Sequence, residues 1–95
     1  MNTEQIIEWA KARNIDTPEC AKGQLGKIME ELGETAGAFL KGNRKELIDG
    51  IGDCFVTLII FAVQNGLTPE ECLEAAWQEI KDRKGRKENG VFIKD

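Results

Sequence analysis

The sequence predicts an all-α protein, a subunit of four-helix-bundle type, on three observations. Leu25, Ile28, Met29, Leu32, Ala36, Phe39 and Leu40 recur at spacings of three and four, which draws one apolar stripe along a helix. Thr17-Pro18 and Thr68-Pro69 each place a capping residue before a proline, whose missing N–H costs nothing at the first helical position. No internal repeat or low-complexity stretch interrupts the helical segments.

Helices are predicted over about 3–13, 18–41, 44–64 and 69–83. In the first, Ile6, Ile7, Trp9 and Ala10 take helical spacings, and Asn2 with Gln5 forms a weak capping box. Asn14 to Thr17 interrupts it, and the second helix runs from Pro18 to a short Gly42-Asn43 loop. The third ends where Asn65-Gly66 supplies a stop in the left-handed conformation. Its two halves differ: Leu47, Ile48 and Ile51 lie on one side, whereas Cys54 to Val63 is apolar in every direction. Such a helix is expected to be buried all round, at a subunit interface or the centre of a bundle. Thr68-Pro69-Glu70-Glu71 is the strongest start signal, with Glu71 completing a capping box. Gly85 and the surrounding cations end the fourth helix, and Asn89-Gly90 predicts a turn into a short extended tail, Val91-Phe92-Ile93.

With 95 residues, the chain is expected to form one domain, 1–95. Its 41% apolar and 32% charged residues can build a core, but a domain of this size buries only about 60–65% of its unfolded surface, so self-association is expected. Histidine and tyrosine are absent, which throws acid–base or metal chemistry onto 17 Asp and Glu, with 13 Lys and Arg and three Cys as the other polar tools. The net charge of −4 opposes broad attraction to nucleic acid or an anionic membrane, so neither is an expected partner. Cys20, Cys54 and Cys72 form no C-x-x-C pair, and the N-terminal segment lacks the basic-then-apolar pattern of a signal peptide. A cytoplasmic protein is expected. The apolar run from Cys54 to Val63 is about half of the roughly 20 residues that a spanning helix requires.

Two carboxylate groupings stand out. Glu30, Glu31 and Glu34 share a surface of the second helix through spacings of three and four, and Asp49 and Asp53 share a face of the third. The short turn between these helices makes them antiparallel neighbours, so the groupings converge. Like charges so placed weaken a helix by a few tenths of a kcal/mol per pair, approximately, and a divalent cation reverses that sign. Oxygen ligands without His or Cys suit Mg²⁺, or Mn²⁺ in its place, better than zinc. Taken alone, the Glu30-Glu31-x-x-Glu34 group reads more readily as a solvated helix face away from the apolar stripe. Asp53 does not, because it leads into the apolar run, where an unpaired carboxylate would be costly to desolvate.

The order Lys27-Ile28-Met29-Glu30-Glu31-Leu32-Gly33-Glu34, followed by Ile48-Asp49-Gly50-Ile51-Gly52-Asp53 and an apolar helix, resembles the MazG-like nucleoside triphosphate pyrophosphohydrolases, in the all-α group that includes the dimeric dUTPases. The similarity extends from about Trp9 through Gly85. It implies Mg²⁺-dependent hydrolysis of a nucleoside triphosphate to the monophosphate and pyrophosphate, on a helical bundle that works as a dimer or tetramer. By position, Glu31, Glu34 and Asp53 match metal ligands, and Glu30 matches the first glutamate of the E-E-x-x-E motif. Gly50 stands where the E-x-x-D motif expects glutamate. Asp49, on the same face as Asp53, is the preferred substitute, although Glu46-Leu47-Ile48-Asp49 also satisfies E-x-x-D. Glu30, Glu31 or Glu34 would carry the catalytic work, with Glu30 or Glu34 orienting or deprotonating water for in-line attack at the α-phosphorus.

Lys27 and the tail residues Lys81, Arg83 and Lys84 are candidate phosphate clamps, beside Arg86 and Lys87, against the plainer reading of solvated cations at a helix C-terminus. Trp9, Phe39 and Trp77 could stack on a base but are expected in the core. Gly23, Gly26, Gly33 and Gly37 do not make a phosphate loop and are expected to serve close helix packing. Two other functions compete: a non-enzymatic helical interaction module, and a nucleotide or metal binder that has lost turnover through Gly50.

Overall fold

Local capping sets most boundaries in the structure, a computed structural model describing residues 2–95. Helix α1 spans Thr3–Ala12, α2 Ala21–Lys41, α3 Arg44–Gln64 and α4 Pro69–Ile80; strands β1 (Gly85–Glu88) and β2 (Val91–Lys94) follow. Asn2 and Gln5 close their capping box with two bonds of 3.3 Å. Thr68 and Glu71 do so at 2.7 and 3.1 Å. Asn43 caps α3 by accepting from the Glu46 N–H at 3.1 Å. Gly42, at φ 70°, and Gly66, at φ 74°, make the left-handed turns that end α2 and α3.

Two boundaries move inward from those expected. Thr17 is extended before Pro18 but its hydroxyl caps no N–H and lies 3.5 Å from Cys20 Sγ instead, so Pro18–Cys20 forms a 3₁₀ turn and α2 begins at Ala21. Helix α4 stops at Ile80, short of 83, because the Arg83 N–H turns back to Ile80 O, three residues away, at 3.0 Å. The tail is also more than one extended piece. Asn89 (φ 50°) and Gly90 (φ 79°) supply the two positive φ values of a two-residue hairpin, pairing Glu88 with Val91, Lys87 with Phe92, Arg86 with Ile93 and Gly85 with Lys94.

The antiparallel pair α2 and α3 is the main packing unit; α1 lies on α3, and α4 packs mainly on α3, with Thr3 Oγ1 of α1 donating to Glu70 Oε2 of α4 at 2.8 Å. The core consists of Ala10, Ile28, Ala38 and Ile60 with the polar Glu31, Thr57 and Gln64. Gln64 donates to Ile15 O at 2.7 Å, tying the loop after α1 to the end of α3, and Gln24 donates to Thr57 O at 3.0 Å across the helix pair. Within the chain α3 is not enclosed: Ile48, Ile51, Phe55 and Leu58 are exposed. That exposure is compatible with a subunit interface, one of the two expected settings, but the apolar half of α3 is not the centre of a closed bundle. Nor does the α2 stripe face α3. Residues 28, 31, 35 and 38 do, leaving Leu25, Met29, Leu32, Phe39 and Leu40 on the surface. The radius of gyration, 15.7 Å, exceeds the roughly 12 Å of a closed domain of this length. No helix of the described residues is long and apolar enough to cross a membrane.

The α2 glycines 23, 26, 33 and 37 meet open space and pack nothing in the chain, which corrects their expected use. The close approach is at Gly50, where a Cβ would stand 2.5 Å from Thr35 Oγ1 and 3.2 Å from Thr35 Cα. Thr35 cannot swing away freely, because its hydroxyl donates to Glu31 O at 2.7 Å and touches Cys54 Sγ at 3.4 Å. Gly50→Ala is therefore expected to destabilise the fold by about 1–3 kcal/mol through overpacking. Gly52→Ala, in open space, should instead be neutral or stabilising by up to ~1 kcal/mol through helix propensity. Urea denaturation of both variants checks the pair.

Candidate active site

The antiparallel turn brings the two acidic groupings together. Glu34 and Lys41 from α2 and Glu46, Asp49 and Asp53 from α3 line a cleft of about 370 Å³, completed by the small residues Gly37, Ala38 and Gly50. Glu31 sits on the buried line of α2, between Ile28 and Thr35, and is only 8% exposed. Its Oε1 lies 3.9 Å from Lys27 Nζ, and its buried Oε2 has no hydrogen-bond partner. Lys27 also stands 3.7 Å from Glu30. Burial raises the Glu31 pKa above the usual carboxylate range, and the charges of Glu34, Asp53 and Glu30 add to the rise while Lys27 opposes it.

The desolvated carboxylate expected at Asp53 is thus Glu31. Asp53 is exposed, because it opens onto the cleft rather than onto the apolar half of α3; Glu31, which the helix wheel sets off the apolar stripe, lies on the face that α2 presents to α3. Asp49 and Glu46 both reach the cleft, so the geometry accommodates either register of the second motif. A side chain at position 50 would drive into Thr35, so the close helix approach has no room for a glutamate there.

The tail cations are not brought to this cleft in the same chain. Lys81, Arg83 and Lys84 follow α4, none of them lines the cleft, and Arg83 pairs with Glu79 at 3.9 Å. Lys41 is the cation that sequence reasoning missed; its signal was the spacing 34, 38, 41 on one helix face. Trp9, Phe39 and Trp77 are surface residues at 47%, 68% and 54% exposure instead of core, and the Arg13 guanidinium lies 4.0 Å above the Trp9 ring.

Among the described residues, no three Asp, Glu or Cys side chains are close enough, as placed, to hold an ion together. The donor set nevertheless fits a hard divalent cation in kind. It is all carboxylate, one buried oxygen is unpartnered, and Glu34, Asp49 and Asp53 are exposed and can turn toward it.

Because the folded Glu31 binds its proton more tightly than the unfolded chain does, its contribution to stability is present at acidic pH and is lost as pH rises through its raised folded pKa. In chelator, thermal midpoints of the wild type should fall over that rise, and Glu31→Gln should flatten the fall and be more stable than the wild type at neutral pH. An identical pH profile for the two proteins would contradict the assignment.

The family model described as phosphoribosyl-ATP pyrophosphohydrolase matches residues 4–84. A protein of Haemophilus phage HP1, described as an uncharacterized 18.2 kDa protein in the rep-hol intergenic region, is 39% identical over 62 residues, covering 65% of this chain and 38% of that protein. The phosphoribosyl-ATP pyrophosphatase of Gluconobacter oxydans is 39% identical over 69 residues, 68% of this chain and 48% of the relative. The chain thus spans less than half the length of these two relatives. No solved structure matches it significantly. Since the matched residues include both acidic groupings and the helical hairpin that joins them, the chain belongs to the phosphoribosyl-ATP pyrophosphohydrolase family, within the MazG-like all-α nucleoside triphosphate pyrophosphohydrolase superfamily.

Proposed function

We propose that this protein is a Mg²⁺-dependent hydrolase that converts a nucleoside triphosphate to the monophosphate and pyrophosphate. One observation carries the reading: a buried, unpartnered Glu31 oxygen among Glu30, Glu34 and Asp53, beside a carboxylate-lined cleft. Family membership supports it, and phosphoribosyl-ATP, named for the Gluconobacter relative, is one candidate within the substrate class.

Glu31, Glu34, Asp49 and Asp53 would hold the ion. When bound, Mg²⁺, or Mn²⁺ in its place, supplies positive charge to phosphate oxygens and acidity to water. Glu30 or Glu34, both exposed and free to move, would orient and deprotonate the water for in-line attack at the α-phosphorus. The bond to the β-phosphate oxygen breaks and pyrophosphate leaves. Lys27 and Lys41 are the chain's own cations at the site, placed to hold phosphate oxygens as the charge shifts. The exposed α2 stripe and the uncovered α3 residues favour assembly as a dimer or tetramer, and the three free thiols suit a cytoplasmic protein.

A panel of ribo- and deoxyribonucleoside triphosphates and phosphoribosyl-ATP, with Mg²⁺ and a pyrophosphate assay, tests this. The wild type should release pyrophosphate from at least one of them. Asp53→Asn and Glu31→Gln should each lower kcat/KM about 100-fold or more, a barrier increase near 2.7 kcal/mol. Asp49→Asn should do the same and Glu46→Gln should not. No release from any substrate, with no Mg²⁺-dependent rise in thermal midpoint that Asp53→Asn removes, would overturn the reading.

A further inference from the structure

The C-terminal segment is basic and the remainder of the chain acidic. Residues 81–95 carry six Lys and Arg against three Asp and Glu; residues 1–80 carry seven against fourteen. Little of the basic excess is neutralised locally. Arg83 pairs with Glu79, and Arg86 with Glu88 and Asp95, whereas Lys81, Lys84, Lys87 and Lys94 have no ion pair among the described residues.

Strand alternation sorts the hairpin into two unlike faces. Arg86 and Glu88 stand opposite Ile93 and Val91 on one face, which holds its own ion pair at 3.1 Å. Gly85 and Lys87 stand opposite Lys94 and Phe92 on the other. That second face has two lysines and a phenylalanine, 54% exposed and reaching over Gly85, and no carboxylate. A lone two-stranded hairpin is marginal in water, and among the described residues this one packs substantially on no helix. A surface of opposite charge would stabilise it. The acidic cleft is such a surface, with Glu34, Glu46, Asp49 and Asp53 against Lys41. The hairpin does not reach the cleft of its own chain.

We infer that the basic face of the hairpin docks at the mouth of the acidic cleft of a second copy, so that each site takes its carboxylates from one chain and Lys87, Lys94 and the Phe92 ring from the other. The catalytic part of this inference rests on the pyrophosphohydrolase reading; the docking part rests on charge and topology alone. A cleft of carboxylates repels a triphosphate, and lysines delivered in trans reverse the potential where the phosphates enter. Phe92 adds a flat apolar surface on which a base can stack.

Carbodiimide coupling of an equal mixture of ¹⁴N- and ¹⁵N-labelled wild-type protein, read by mass spectrometry, tests the docking without using activity. Links from Lys87 or Lys94 to Glu34, Glu46, Asp49 or Asp53 should appear in peptides of mixed label. Links confined to one copy, or a monomer in sedimentation, overturn the proposal. So does oligonucleotide binding that Lys87→Glu/Lys94→Glu abolishes while no mixed-label link forms, which would assign the face to nucleic acid.

Activity supplies a second arm. Asp53→Asn and the double variant Lys87→Glu/Lys94→Glu should each be inactive alone. After subunit exchange their mixture should regain about a quarter of wild-type activity, as expected if half the dimers are mixed and each has one intact site. No recovery, with both variants folded by circular dichroism and exchanging subunits, overturns the shared site. Mixed-label links with an inactive wild type would support the docking and remove only the hydrolase reading.

Discussion

Helices α2 and α3 approach closely because residue 50 has no side chain and Thr35 fills the space it leaves. The rest of the site depends on that approach. It buries Glu31 against α3, sets Glu34 across from Asp49 and Asp53, and fixes the width of the cleft between them. Thr35 serves both sides of the arrangement, since the hydroxyl that meets Gly50 also bonds the backbone carbonyl of Glu31. A larger residue at position 50 would add a carboxylate in principle, yet it would separate the helices that make the other carboxylates useful together. The chain thus keeps close packing at position 50.

The electrostatic consequence is a site that opposes its own burial. Glu31 lies between a single nearby cation, Lys27, and several carboxylates, and its second oxygen receives no donor. Lys27 relieves this only in part, since it stands beside the first oxygen and the second has no partner. A structural ion pair would have placed an arginine within reach, and an ordinary surface carboxylate would have remained in water. A buried acid left unsatisfied beside a carboxylate-lined cleft is the feature on which the proposed cation site rests.

Helix number, most caps and the closeness of the two acidic groupings were legible in the sequence, because each depends on local chemistry. Asn43, Thr68 with Glu71, and the glycines after α2 and α3 act within a few residues of themselves. The packing face of α2 was not legible. Its apolar stripe, Leu25 to Leu40, announces a helix correctly, but α3 meets the adjacent line of Ile28, Glu31, Thr35 and Ala38. Periodicity reports that a face wants to be covered and not which neighbour covers it, and here the more apolar face is left open. The same ambiguity moved the buried carboxylate from Asp53 to Glu31. The hairpin was half legible: Asn89-Gly90 marks a turn, while pairing depends on the basic strand before it, whose charge read as a solvated helix end.

The two-residue connection at Gly42-Asn43 also bears on how the molecule forms. All the carboxylates of the candidate site lie between residues 30 and 53, within one helix–turn–helix unit, so bringing them together closes only a short loop. Short loops close at low entropic cost, and folds dominated by such contacts form fast. Topology therefore favours early assembly of the acidic half of the site, before α1 and α4 find their places. The repulsion among these carboxylates then acts on the helical hairpin as it forms as well as on the finished protein, so ionic strength or a divalent cation bears on the rate of folding as well as on the final stability.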